Sequence, residues 1–82
     1  MDKPFVLTVT DLNDKRYYVY CCGLEHTNEF IKFALSTDYG FDMNGINLFL
    51  RNRELQDHKT FYQSGVCKES IVRLFIKLRS GH

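Results

Sequence analysis

Cysteine and histidine are the side chains in this sequence best suited to chemistry, and they are few: Cys21, Cys22, Cys67, His26, His58 and His82. A structural zinc site needs paired ligands at turn spacing, and the chain holds no Cys-x-x-Cys and no His-x3-His pair. Cys21 and Cys22 are adjacent, so on a strand with a two-residue repeat they point to opposite faces. Three cysteines in a short chain do not make a disulfide framework, and the expectation is of reduced thiols on or near strands. Thiol catalysis needs a cysteine and a base on one face beside a pocket, and nothing in the spacing of these residues provides that. The residues therefore point to no metal, no cofactor and no catalytic group, and to a protein that is not an enzyme.

Charge and composition narrow the classes that remain. Eleven Lys and Arg against ten Asp and Glu give a net charge of +1, far from the positive excess that drives binding to a phosphate backbone, so nucleic acid is not expected as a partner. The apolar runs are too short to cross a bilayer, which excludes a membrane partner and leads to the expectation of a cytoplasmic or nuclear protein. At 82 residues with 44% hydrophobic and 15% aromatic content, the chain has material for one core and room for no second one.

The elements that position these side chains follow from periodicity. Phe5, Leu7 and Val9 alternate with Val6 and Thr8 as in a half-buried strand, and turn formers from Asp11 to Lys15 lead into a second alternation at Tyr17, Val19 and Cys21. Thr27 is placed as an N-cap, Glu29 suits the first turn, and Phe30, Ile31, Ala34 and Leu35 form a helical stripe, with Phe33 lying off it. A helix is predicted over Asn28 to Tyr39, stopped by Gly40. A turn at 42–45, a strand over Ile46 to Leu50, a polar turn at 51–54 and an irregular stretch precede a last strand over Ser70 to Leu78. A hairpin, one helix and further strands predict an α+β fold with a mixed sheet and the helix packed across it.

At this point the sequence resembles the ubiquitin family. The residues that carry the resemblance are Val9-Thr10-Asp11-Leu12 and Lys15 around the first turn, Leu48-Phe49-Leu50, Leu55-Gln56-Asp57, Thr60, and Lys68-Glu69-Ser70 leading to Leu78-Arg79. Apart from one extra residue between Cys22 and Thr27, their order and spacing hold from Phe5 to Gly81 without a gap. The resemblance implies a ubiquitin-like β-grasp fold over residues 5–78, preceded by an N-terminal extension over 1–4 and followed by a flexible tail over 79–82. It implies a core of Phe5, Leu7, Val9, Tyr17, Val19, Cys21, Ile31, Leu35, Leu48, Leu55, Phe61, Val66, Val72 and Leu74. Asn28 departs from the family, which has a buried aliphatic residue there; Leu24 or Phe30 would fill the gap, or the helix would be slightly rotated.

The family's binding patch, a loop leucine and two aliphatics on neighbouring strands, maps onto Leu12, Phe49 and Phe75, with Arg73 in place of a histidine beside it. Phe49 and Phe75 are out of phase with Leu48 and Leu74, which predicts rings on the outer face of the sheet whose truncation removes partner binding at little cost in stability. The tail Lys77-Leu78-Arg79-Ser80-Gly81 resembles the family's conjugation tail. Ser80 replaces its second glycine, and His82 follows the residue that would carry the reactive carboxylate, so conjugation through Gly81 requires removal of His82. Lys15, Lys32 and Lys68 coincide with family lysines that accept chains, and otherwise read as ordinary solvated charges. Arg53 occupies a further acceptor position, where a guanidinium cannot act as the nucleophile.

The resemblance thus implies a non-catalytic recognition module of the ubiquitin system, bound by ubiquitin-binding proteins or pathway enzymes and a candidate for conjugation through Gly81. Two alternatives stand beside it: a non-conjugated N-terminal domain that docks a larger protein to ubiquitin receptors or the proteasome, and a structural β-grasp domain packed on a neighbouring domain. A monomer is expected, with pairing of two copies through Phe49 and Phe75 as the other arrangement.

Overall fold

The computed structural model describes residues 3–77. Strands β1 (Phe5–Thr10) and β2 (Arg16–Cys21) form an antiparallel hairpin, followed by helix α1 (Glu29–Tyr39), a 3-10 turn at Met43–Gly45, strands β3 (Ile46–Leu50) and β4 (Arg53–Glu54), the one-turn helix α2 (Phe61–Ser64) and strand β5 (Ile71–Ile76). The five strands make one mixed sheet in the order β2-β1-β5-β3-β4. Its central pair, β1 and β5, runs parallel, with Val9 level with Val72 and Thr10 with Arg73. The predicted α+β layout with a mixed sheet and one long helix is what the structure has.

Alternation along the strands sorts the sheet into two faces. Leu7, Val9, Tyr17, Val19, Cys21, Ile46, Leu48, Val72 and Leu74 share one buried cluster with Ile31, Ala34 and Leu35 of α1, so the helix covers one face of the sheet. Phe5 is only partly buried, its ring tilted against that of Phe61 at 6.4 Å. Ile46, absent from the expected core, is also buried, because β3 begins on the inward phase that Leu48 continues. Phe33 lies off the buried stripe of α1 and is exposed.

Three local expectations are corrected. Residues 53–54 form the short strand β4 and not part of a turn, because Arg51 takes a left-handed conformation (φ 59°) that folds the chain back and pairs Leu50 with Arg53 and Phe49 with Glu54. The stretch expected to be irregular contains α2, which opens with a capping box: the Thr60 hydroxyl accepts from the Gln63 N–H, and the Gln63 carboxamide accepts from the Thr60 N–H. Thr27 does not cap α1. It bridges to Thr60, and the first amides of the helix are satisfied across the chain, with Asn28 N–H donating to the Lys59 carbonyl and Glu29 N–H to that of Asp57. At the other end Gly40 adopts the left-handed conformation (φ 82°), its N–H donating to the Ser36 carbonyl while the Phe41 N–H returns to that of Leu35.

Asn28 itself occupies the place expected to be filled by Leu24 or Phe30. It is 1% exposed, and its Nδ2 donates to the Gln56 carbonyl at 2.9 Å and to Ser64 Oγ at 2.8 Å. A polar residue is tolerated there because both N–H donors of its amide find acceptors, although Oδ1 has no partner.

Candidate functional site

The outer face of the sheet, opposite α1, carries the candidate site. Phe49 on β3 and Phe75 on β5 point to this face because Leu48 and Leu74, their chain neighbours, are buried on the other. The antiparallel register sets Phe49 opposite Arg73 and Phe75 opposite Asn47, so the two phenylalanines are diagonal neighbours. Their rings meet edge to face, with centroids 5.2 Å apart and planes at 78°. Each is half-buried, on the outer face where strand phase placed it. Removing one ring uncovers the other, so truncation here is not free of cost in stability.

Arg73 lies between the pair and the first hairpin. Its guanidinium is 3.8 Å from a carboxylate oxygen of Asp14, with side-chain exposures of 41% and 86%, a solvent-screened contact of small energy. Leu12 belongs to the β1–β2 turn and is 64% exposed. Since β1 and β5 run parallel and Thr10 is level with Arg73, this turn lies at the end of β1 toward which β5 carries Phe75. A groove of about 670 Å³ runs past Arg73 and Phe75, between Ile71 and the turn at Leu50 to Asn52. The arrangement offers an aromatic knob, one adjustable cation and a neighbouring aliphatic, which suits packing against another surface and holds no group for bond making.

Sequence reasoning missed the apolar residues beside this patch. Val6, Tyr18, Tyr20 and Ile71 are all exposed on the same outer face. The signal was in the sequence, because each is one residue out of phase with a buried neighbour.

The other candidate residues are dispersed. Lys77 is exposed, and its N–H donates to the Gly45 carbonyl at 2.8 Å. The remainder of the candidate tail, Leu78, Arg79, Ser80 and Gly81, lies outside the described residues, as does His82. Lys68 is exposed, and Lys15 is exposed with its ammonium 5.4 Å above the Tyr17 ring. Lys32 contradicts the reading of a solvated charge: it is 8% exposed, and its Nζ pairs with Asp57 Oδ1 at 3.0 Å. Burial and the ion pair withhold its amine from an incoming acyl group, so of the three lysines Lys32 is the one unsuited to accept a chain.

The thiols are equally constrained. Burial pushes the Cys21 thiol up to about 11, with the neighbouring Cys22 adding to the shift, so Cys21 stays protonated at neutral pH. Cys67 Sγ lies 3.3 Å from Glu69 Oε1, which accepts its hydrogen bond. The fold does bring one histidine beside a cysteine, since the Cys22 N–H donates to His26 Nε2 at 3.0 Å. That bond occupies the nitrogen a general base would use. Among the described residues, no three His, Cys, Asp or Glu side chains cluster as a metal site would require, and no helix is long and apolar enough to cross a membrane. Compared with known proteins, the sequence matches no family model and no curated protein.

Proposed function

We propose that this chain is a ubiquitin-like β-grasp domain that acts as a protein recognition module in the cytoplasm or nucleus, bound through Leu12, Phe49, Arg73 and Phe75. The observation that carries this reading is the edge-to-face pair of Phe49 and Phe75 on the sheet face that α1 leaves uncovered. Two large rings held partly in water cost free energy unless a partner covers them, at roughly 25 cal/mol per Å² of apolar area. The order and spacing of family residues from Phe5 to Gly81, together with the sheet order β2-β1-β5-β3-β4, support the family reading.

The partners under this proposal are ubiquitin-binding proteins or enzymes of the ubiquitin pathway. Bulky rings and Arg73 in place of a flat aliphatic patch favour receptors able to stack on an aromatic or supply a carboxylate. Titration of isotope-labelled protein with a panel of ubiquitin-receptor domains tests it. Shifts are expected at Leu12, Phe49, Arg73 and Phe75, and Phe75→Ala should abolish them while the fold persists. Shifts confined to another face, or binding unchanged in Phe75→Ala, would overturn the assignment. Conjugation through Gly81 is tested separately: activating enzyme and ATP should form a thioester only after His82 is removed, and failure of both forms sinks that part of the proposal.

A further inference from the structure

The sheet order leaves β2 at an edge, and an edge strand offers a row of unpaired N–H and C=O groups to any other strand. On β2 this row is interrupted by side chains from elsewhere in the chain. The Tyr18 N–H donates to the Tyr39 hydroxyl at 3.0 Å, and that hydroxyl donates back to the Tyr18 carbonyl at 3.4 Å, so one side chain at the end of α1 occupies both edge groups of Tyr18. Four residues along, the Cys22 N–H is taken by His26 Nε2 at 3.0 Å. Tyr18 is opposite Thr8 in the antiparallel register, and outward-pointing groups recur at every second residue, which makes Arg16, Tyr18, Tyr20 and Cys22 the edge positions. Two of these four are filled, one on either side of Tyr20.

Both filling side chains are anchored. The Tyr39 ring packs edge to face on Tyr17 with centroids 5.0 Å apart. The His26 ring stacks on Phe30 at 3.9 Å and is tilted against Phe61 at 5.6 Å. An incoming strand must therefore break three hydrogen bonds and displace two packed rings before it can pair along β2. The motive for a guard is on the same strand: Tyr18 and Tyr20 are 50% and 77% exposed, and aromatic side chains on an open edge favour cross-strand pairing between copies.

We propose that Tyr39 and His26 are built-in plugs that stop β2 from pairing with the β2 strand of a second copy of this chain. With them in place, the edge offers free backbone groups only at separated positions. Without them it offers a continuous row flanked by two tyrosines.

The test uses the 82-residue chain with Tyr39→Phe, which removes only the hydroxyl, His26→Phe, which keeps an aromatic ring without the accepting nitrogen, and the double substitution. Amide exchange should accelerate at Tyr18 in Tyr39→Phe and at Cys22 in His26→Phe, by roughly fivefold in each case for the loss of one ordinary hydrogen bond. The double variant should associate in sedimentation at concentrations where the parent chain is monomeric. Adding Tyr20→Pro, which an edge strand tolerates but a paired one does not, should restore the monomer. Adding Phe49→Ala should leave the association intact, which separates this edge from the recognition face. Unchanged exchange at Tyr18 in Tyr39→Phe overturns the proposal, as does a monomeric double variant or an association that survives Tyr20→Pro. If the double variant does not fold, Tyr39→Phe alone decides, through Tyr18 exchange and its own sedimentation.

Discussion

Asp11 shows how one carboxylate can set the shape of a hairpin. Its Oδ1 accepts from the N–H groups of Asn13 at 2.8 Å and Lys15 at 3.0 Å, and its Oδ2 accepts from the Tyr17 hydroxyl at 3.0 Å. Desolvation raises the carboxyl, but these donors and the Lys15 charge outweigh it and hold Asp11 below the ordinary 3.8. Because the folded-state value is the lower one, the stabilisation is complete above 3.8 and is lost as pH falls through the folded value. Asp11→Asn should therefore weaken the protein in urea at neutral pH, and its deficit relative to the parent should shrink near about pH 3. A deficit of equal size at both pH values would show that the charge is not what the turn uses. Lys32 belongs to the same scale. Lys32→Met should cost about 1–3 kcal/mol by leaving Asp57 without its partner, whereas Lys15→Met and Lys68→Met should each stay within about 0.5 kcal/mol. Chemical denaturation measures the difference, and a small amine-reactive acylating reagent should modify Lys32 last.

At the scale of elements, the proposed recognition face depends on the register between β3 and β5. A slip of one residue would bury Phe49 and Phe75 and expel Leu48 and Leu74, so the core that fixes the register also presents the rings. The diagonal contact makes the two rings energetically coupled. A double-mutant cycle of Phe49→Ala and Phe75→Ala should give a coupling of about 0.5–1.5 kcal/mol, and additive losses would mean that the edge-to-face pair contributes nothing. Strand phase made both rings legible in the sequence as outward-facing. Their mutual cover was not, because it depends on which strands are neighbours. The same holds for β4: Arg51-Asn52-Arg53-Glu54 has the composition of a turn, and only the presence of β3 alongside turns its second half into a strand. Helix α2, by contrast, was missed where the sequence read as irregular, although Thr60 and Gln63 carry the capping-box spacing.

The whole molecule closes through Phe61, which is fully buried where α2 meets the hairpin and the segment leading into α1. Its N–H donates to the His26 carbonyl, and its ring faces both Phe5 and His26. Phe61→Ala should cost about 3–5 kcal/mol, a large part of the roughly 4–12 kcal/mol that a domain of this length possesses. A thermal melt should then begin well below that of the parent, and a loss under about 1 kcal/mol would contradict the packing described. By itself the sequence determined the order of the main elements, the phase of every long strand and most of the core, because hydrophobic alternation and the helical stripe are local properties. The tertiary structure alone decided the burial of Asn28 and Lys32, the pairing of Phe49 with Phe75, and the occupation of the β2 edge by Tyr39 and His26. Each of these joins residues distant in the chain or on different elements, where a polar group or a ring acquires its role from what lies opposite it. No periodicity encodes that.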